Sequence, residues 1–458
     1  VNAGGEKAIN CIGRRTGVLG KTRKRKTGNG KTQAEKRRDM DNVIIGQSGG
    51  PTAVINSSLA GAIKAAKAKG IHKVYGMHHG IEGFLMEDII DLDEYLYDLN
   101  DLSLMKRTPA AFLGSCRYKL PDIQGNEKIY EKMFAVMEKY GIRYFLYIGG
   151  NDSMDTIKKL SDYAHAYQKE QKFMGIPKTI DNDLPITDHT PGYGSAAKFI
   201  ATSMKEIICD NESFGATEPK LCVVEIMGRN AGWLTASAAL SRDSDCDGPD
   251  LIYFPEIPFD PDAYVNRVKE LLKKKKSIVI AASEGLKLAD GTLVCELAGD
   301  YAFVDAFGHR QLSGCGKVLA NMIAKETGFK TRSIEFSILQ RCATHMASRV
   351  DVDEAYNAGY VACDAAISGE SGKMAALRVI TREPYVVTYE LADVHEVANI
   401  ERKMPRSWIS EDGTYVTDEF LNYAKPLVIG SLTPYSAGGL PKHMSLKHKR
   451  NVFSANHS

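Results

Sequence analysis

The sequence predicts an α/β protein built on parallel β-sheets with helices covering both faces. Three observations predict it. From Asn42 onward, short apolar runs alternate with longer stretches of helix-forming composition. Several of those runs end at glycines, where a strand turns into a helix. No run of about 18 apolar residues competes as a membrane span.

Taken in order, Asn42-Val-Ile-Ile-Gly46 reads as a first buried strand, and 53–69 has helical composition ending at Gly70. Residues 73–77 form the next strand. The strongest apolar run, 144–148, meets Gly149-Gly150 and precedes a helical stretch over 155–171. Residues 173–176, 221–226, 251–254 and 277–281 follow as strands, and 333–339 is strand-like. In sheets of this kind ligands bind in the crevice at the strands' carboxyl ends, so the loops after the strands are where chemistry is expected. No repeat of 20–50 residues is visible. The tail from about Ala424 is basic and polar, and its last dozen residues are expected to be mobile.

Composition narrows the class. The chain has 458 residues, 43% hydrophobic and 25% charged, which suits two or three folded domains. Its nine cysteines are scattered without a Cys-x-x-Cys pair, which argues against structural zinc or a disulfide framework. Free thiols in a reducing cytoplasm are the expectation. Residues 1–40 carry twelve Lys/Arg and three Asp/Glu, a net of +9, and the remaining 418 carry −7. The cluster Lys21-Thr-Arg-Lys-Arg-Lys26 invites a nucleic-acid reading. A solvated, disordered tail over 1–39 is the plainer one, with Met40 as the functional beginning. The start lacks the apolar region of a secretory signal.

Three junctions carry candidate chemistry. Gly46-Gln-Ser-Gly-Gly-Pro-Thr52 lies between the first strand and helix; its glycines allow close backbone approach, and the helix N-terminus favours anions. A tight turn without a ligand reads equally well. Gly149-Gly-Asn-Asp-Ser153 adds a carboxylate to paired glycines, which suits a phosphate chain with its metal. Asp152 or Ser153 acting as a simple helix cap is the alternative. Pro177-Lys-Thr-Ile-Asp-Asn-Asp-Leu184 sets two carboxylates two residues apart beside a Lys and a Thr. One carboxylate can take a proton from an attacking hydroxyl while the other holds metal or orients a neighbour.

Together the three junctions resemble the phosphofructokinase family over about 42–341. Met227-Gly-Arg229, Pro255-Glu256, Gln340-Arg341 and Gly114-Ser-Cys-Arg117 occur in the family's order. The resemblance implies two Rossmann-like parallel-sheet domains with the active site in the cleft between them. Residues 40–192 with 340–400 would form the phosphoryl-donor domain, and 193–339 with 401–458 the sugar-phosphate domain. Asp181 would be the base for the sugar's 1-hydroxyl, with Thr179 and Asp183 completing its loop. Gly49, Gly50, Arg117, Gly150, Asp152 and Lys178 would face the donor. Met227, Gly228, Arg229 and Glu256 would hold sugar hydroxyls. Arg332, Arg341 and, from a neighbouring subunit, Lys220 would clamp the 6-phosphate, a task suited to the guanidinium fork. A homodimer or larger assembly is implied. Mg²⁺ would lean on Asn151 and Asp152, although the family's usual acid is replaced by Asn151. Ile338 stands where many members have His or Tyr, leaving one contact unassigned.

Family members that use ATP tend to have Gly at the positions of Asp152 and Lys178, and the pyrophosphate-using branch has Asp and Lys. The physics agrees with that division. An Asp in the donor site places negative charge where the α-phosphate of ATP would pass. Like charges at ~4 Å cost about 1 kcal/mol in water and roughly 4 at an intermediate dielectric. Lys178 supplies positive charge beside the phosphoryl group in flight.

The expected reaction is reversible phosphoryl transfer from pyrophosphate to fructose 6-phosphate in glycolysis or gluconeogenesis. An ATP-dependent 6-phosphofructokinase and a non-catalytic subunit binding phosphorylated ligands are the alternatives; neither a membrane nor a nucleic-acid partner is expected. Gly20-Lys-Thr22 and Gly30-Lys-Thr32 are not Walker motifs, because Arg15 and Arg25 replace the leading glycine. Gly192-Tyr-Gly-Ser-Ala-Ala197 follows a loop and reads as an ordinary helix start. The His78-His79 pair lacks metal-ligand spacing.

Overall fold

The computed structural model describes residues 41–96, 99–214, 217–298 and 314–447. The expectations for 1–39 and for 448–458 lie outside those residues. Two sheets organise the rest. The first contains β1 (Asn42–Gln47), β2 (Val74–Met77), β3 (Ile89–Asp91), β4 (Ile142–Gly149), β5 (Lys172–Pro177), β10 (Lys373–Arg382) and β11 (Tyr385–Asp393), in the order β11-β10-β5-β4-β1-β2-β3. The second contains β6 (Lys220–Ile226), β7 (Leu251–Tyr253), β8 (Ser277–Ser283) and β9 (Thr331–Glu335), all parallel, in the order β7-β8-β6-β9.

The apolar runs are central strands for the reason their composition gives. Every residue of β1 is buried, and every residue of β4 except Arg143. A parallel strand covered on both faces has no solvent side to mark with polar residues.

Topology then places the loops. Helix α1 (Ile55–Ala68) leads from β1 outward to β2, whereas α2 (Asn151–Ala166) leads from β4 the opposite way to β5. The strand order reverses between β1 and β4, which opens a crevice at their carboxyl ends. Register keeps those ends level: Gln47 pairs with Ile148, and Gly149 with Pro177. The three junctions are therefore neighbours. Helix α3 (Tyr193–Glu212) runs from this region to the start of β6.

Four details differ from the sequence reading. Helix α2 starts at Asn151 rather than near 155, because Gly150 is extended (φ −90°, ψ −153°) and serves as its N-cap. It ends at Ala166, and Gln168 just beyond has a left-handed φ of 50°. The strand expected over 333–339 stops at Glu335; Ser337 turns left-handed (φ 43°) and Leu339–Cys342 is a short helix. The antiparallel hairpin β10–β11, absent from the sequence reading, extends the first sheet, with Lys373 paired to Met174. Among the described residues, no helix is long and apolar enough to cross a membrane.

Candidate active site

The first junction is built from backbone. Gly49 sits at φ 73°, a region open to glycine, so the chain can turn back sharply there. Its amide donates to the Cys116 carbonyl (3.0 Å), and its carbonyl accepts from Ser115 Oγ (2.6 Å). These bonds bring the 114–117 loop, and with it exposed Arg117, against the turn. Lys178 Nζ donates to the Gly50 carbonyl at 2.7 Å. A Cβ at Gly50 would lie 3.1 Å from Arg341 Nη1, and one at Gly49 3.3 Å from Lys178 Nζ. Gly49, Gly50, Lys178 and Arg341 thus share one small space.

Lys178 is only 3% exposed. Burial pushes its ammonium down to about 7; Asp181 opposes that, and Arg341 and Arg117 reinforce it. Asp183 opposes the fall as well, so lost hydration is the main cause, and an anionic ligand alongside would favour the charged form.

The second junction is not a side-chain cap. Gly150 occupies the N-cap of α2 without any side-chain cap bond, so Asp152 is left half-buried in the first turn, facing the positive helix end. Asn151 Nδ2 donates to Asp183 Oδ2 at 3.5 Å, and Asn151 Oδ1 is buried without a hydrogen-bond partner.

In the third loop the Asp181 amide donates to Thr179 Oγ1 at 3.0 Å, and the Thr179 side chain also bonds Asp183. Asp181 keeps some solvent-facing surface but is enclosed by protein on most sides. Burial raises its pKa, and Lys178, Arg229 and Arg341 oppose the rise. Asp183 is pushed up to about 7 by burial and by the charge of Asp181 beside it.

A divalent cation fits this corner. Asn151 Oδ1 is an orphaned hard oxygen, and Asp183 next to it suffers from excess negative charge that a dication reverses. Among the described residues no group of three or more His, Cys, Asp or Glu is arranged to hold a metal alone. A hard divalent cation needs only one or two protein oxygens where phosphate and water complete its shell.

The second sheet closes the far side. Met227-Gly228-Arg229 leaves the end of β6, and the Met227 amide donates to Gln340 Oε1 (3.3 Å). The Gly228 amide donates to Glu284 Oε1 (3.3 Å), and the Gly228 carbonyl accepts from Ser283 Oγ (2.6 Å). A Cβ at Gly285 would sit 1.9 Å from the Arg229 carbonyl, so only glycine lets the two loops touch. Glu284 is pushed up to about 7 by burial, then by Asp181. Glu256 Oε1 accepts from the amides of Gly232 (2.8 Å) and Met404 (3.2 Å), while its Oε2 is buried without a partner. Burial raises its pKa too.

Two expected residues are not gathered here. Arg332 meets Asp210 at 3.3 Å, near the far end of α3, and pairs in register with Cys222 on β6, close to Lys220. Gly192, which bridges Thr179, caps the other end of α3. The eighteen residue steps from Gly192 to Asp210 span about 27 Å along α3. Arg332 therefore does not join Arg341 within one chain, a correction to the single-chain clamp. Ile338 is 55% exposed beside Arg341.

Ser283, Glu284, Glu401 and Arg402 were missed by the sequence reading. Ser283-Glu284-Gly285 follows a strand, as the other junctions do, so the same rule would have found it. Glu401 accepts from Asn230 Nδ2 (3.1 Å) and adds negative charge to Asp181 and Asp183. It lies with Arg402 in an irregular segment that carries no periodic signal.

Parallel-sheet loops that gather a buried Lys and half-buried Arg around paired carboxylates define an α/β phosphotransferase. A family model described as phosphofructokinase matches residues 42–366. The pyrophosphate–fructose 6-phosphate 1-phosphotransferase of Halomonas elongata is 44% identical over 411 residues, covering 89% of this chain and 97% of that protein. The protein of the same name from Xanthomonas campestris is 38% identical, with 89% and 96% covered. The crystal structure of a pyrophosphate-dependent phosphofructokinase from Nitrosospira multiformis superposes with a TM-score of 0.80 at 37% identity, covering 88% of this chain and 96% of that one. The chain belongs to the phosphofructokinase family.

Proposed function

We propose that this enzyme transfers a phosphoryl group reversibly from pyrophosphate to the 1-hydroxyl of fructose 6-phosphate, giving fructose 1,6-bisphosphate and orthophosphate. The observation that carries the reading is Lys178: a buried ammonium bonded to the Gly50 carbonyl, with Asp181, Asp183, Arg341 and Arg117 as its strongest charged neighbours. The names of the relatives at 44% and 38% identity support the same donor.

Each residue has a part that its surroundings favour. The Asp181 carboxylate takes the proton of the 1-hydroxyl as that oxygen attacks phosphorus. The bridging P–O bond of pyrophosphate breaks, and orthophosphate leaves. Lys178 faces the equatorial oxygens of the group in transit, and the fully buried position keeps its charge unscreened. Gly49, Gly50, Gly150 and Arg117 line the donor, and Asp152 opposes the α-phosphate of a nucleotide. Thr179 and Asp183 hold the loop of the base. Glu256 Oε2 accepts a sugar hydroxyl, the partner it lacks in the free protein, beside Met227, Gly228 and Arg229. Arg341 takes the 6-phosphate.

Asn151, with Asp152 or Asp183, would hold Mg²⁺. Bound there, the ion neutralises charge on the donor phosphates. We assign Lys220 and Arg332 to the sugar phosphate of a neighbouring copy, because both lie at the far end of the second sheet; a homo-oligomer, dimer or larger, follows. A cytoplasmic setting is consistent with the free thiols of the eight described cysteines.

The test is formation of fructose 1,6-bisphosphate from pyrophosphate, fructose 6-phosphate and Mg²⁺ by the purified protein and by Asp181→Ala. We expect turnover by the first and a loss of ~10²- to 10⁴-fold in the second, with fructose 6-phosphate still binding. Normal turnover by Asp181→Ala would refute the assignment.

A further inference from the structure

The loop that carries Asp181 and Asp183 is held from behind by Tyr423 and, at more points, by Arg402. Asn182, between the two carboxylates, has a left-handed φ of 56° and is fully buried. A non-glycine residue in that region needs its surroundings to hold it there. Its own side chain accepts from the Thr190 amide (3.0 Å) and donates to Tyr423 Oη (2.7 Å). Its carbonyl accepts from both Arg402 Nη2 (2.8 Å) and Arg402 Nε (3.3 Å).

The rest of that guanidinium grips the same loop further on. Arg402 Nη1 donates to the carbonyls of Thr187 (2.7 Å) and Asp188 (2.6 Å), and the Arg402 backbone amide donates to the Asp183 carbonyl (2.7 Å). Arg402 therefore binds the backbone at Asn182, Asp183, Thr187 and Asp188 rather than the carboxylates of the loop.

It is also tied to the opposite wall. The guanidinium lies 4.9 Å from the centre of the Trp233 ring, and Trp233 Nε1 donates to the Arg402 carbonyl (3.2 Å). Trp233 follows the Met227–Arg229 loop by four residues. One side chain thus links the carboxylate loop of the first sheet to the sugar-facing loop of the second.

We infer that Arg402 is a positioning residue for phosphoryl transfer, setting the orientation of Asp181 relative to the sugar through the Asn182 carbonyl. The inference rests on Asp181 being the base. A planar fork making several bonds to fixed carbonyls defines direction as well as distance, which an ammonium does not. An error of about 1 Å in the placement of a reacting group costs roughly 10²-fold in rate.

The experiment compares Arg402→Ala, Arg402→Lys and Asp181→Ala in the fructose 6-phosphate and pyrophosphate assay, with kcat and both KM values measured separately. Methylguanidinium is added to Arg402→Ala, and thermal melting is recorded for each variant. We expect kcat of Arg402→Ala to fall ~10²-fold with KM changing by less than about threefold, the split that marks a group acting on the transition state. Methylguanidinium should restore kcat of this variant by about tenfold or more, and Arg402→Lys should lie between Arg402→Ala and the unmodified enzyme. A kcat unchanged in Arg402→Ala, a loss confined to KM, or a loss that methylguanidinium leaves untouched would each overturn the inference. So would failure of both Arg402 variants to melt cooperatively, which would make the residue one of stability. If Asp181→Ala is inactive while Arg402→Ala is normal, only this inference falls; if Asp181→Ala is active, the assignment of the base falls and takes this inference with it.

Discussion

The two ends of the site are built from opposite chemistry. At the first turn, Lys178 and Arg341 crowd against Gly49 and Gly50 with Arg117 close by, so positive charge gathers there. At the second-sheet junctions, Glu256 and Glu284 are half-buried against backbone amides, and one buried Glu256 oxygen has no partner. A polyanion suits the gathered cations, and a hydroxyl suits the unpartnered carboxylate oxygen. Asp181 sits where the two meet: Lys178 bears on it from one side, and it bears on Glu284 at the other. In the proposed reaction this difference would let one cleft sort two substrates that both carry phosphate, with phosphates drawn to the cations and sugar hydroxyls to the carboxylates.

That contrast can be broken by experiment. The largest effect is expected at the meeting point, in the Asp181→Ala loss of turnover given above. The next is at the cationic end. Lys178, held down to about 7 by burial, loses its charge as pH rises. The kcat/KM for pyrophosphate reports the free enzyme and should fall above about pH 7, by up to roughly tenfold per unit. Lys178→Arg, which stays charged, should flatten that limb even if its rate is lower. A limb that survives in Lys178→Arg would assign the titration elsewhere.

At the carboxylate end, Glu256→Gln replaces an acceptor with an amide. We expect KM for fructose 6-phosphate to rise about tenfold, the worth of one charge-assisted hydrogen bond, with KM for pyrophosphate unchanged. Equal rises in both constants would erase the distinction between the ends.

The smallest effect on turnover, though not on stability, concerns the support behind the carboxylate loop. His189 is buried between Glu354 (2.7 Å) and Asp188 (3.0 Å), and these carboxylates outweigh burial and hold it up at about 9. A cation with a raised folded pKa stabilises fully below its ordinary value of about 6.5, and that stability is lost as pH rises through 9. The loss should approach roughly 3 kcal/mol. Denaturant unfolding between pH 6.5 and 9 checks it, and His189→Gln should lack this dependence.

Much of this arrangement was legible in the residues, for a physical reason. A parallel strand buried on both faces reads as an apolar run, so its end is sharply marked, and the ligand-facing loop begins there. That is why Lys178, Asp181 and the Gly49-Gly50 and Gly149-Gly150 turns stood out. The strand register that makes them neighbours was not legible, since it depends on which strands pair. Arg332 illustrates the limit: adjacency to Arg341 in sequence says nothing about a strand that carries it to the far end of α3. Arg402 was silent because its bonds are all to backbone carbonyls, which leave no mark on neighbouring residue types.

The claim on which the rest depends is that the cationic end accepts pyrophosphate and excludes a nucleotide. Its most direct test is kcat/KM for pyrophosphate and for ATP, measured side by side at saturating fructose 6-phosphate and Mg²⁺, in the unmodified enzyme and in Asp152→Gly with Lys178→Gly. We expect pyrophosphate to be preferred by about tenfold or more in the first, and the preference to narrow or reverse in the second, as repulsion of 1–4 kcal/mol is relieved. An unmodified enzyme that uses ATP as well as or better than pyrophosphate would contradict it.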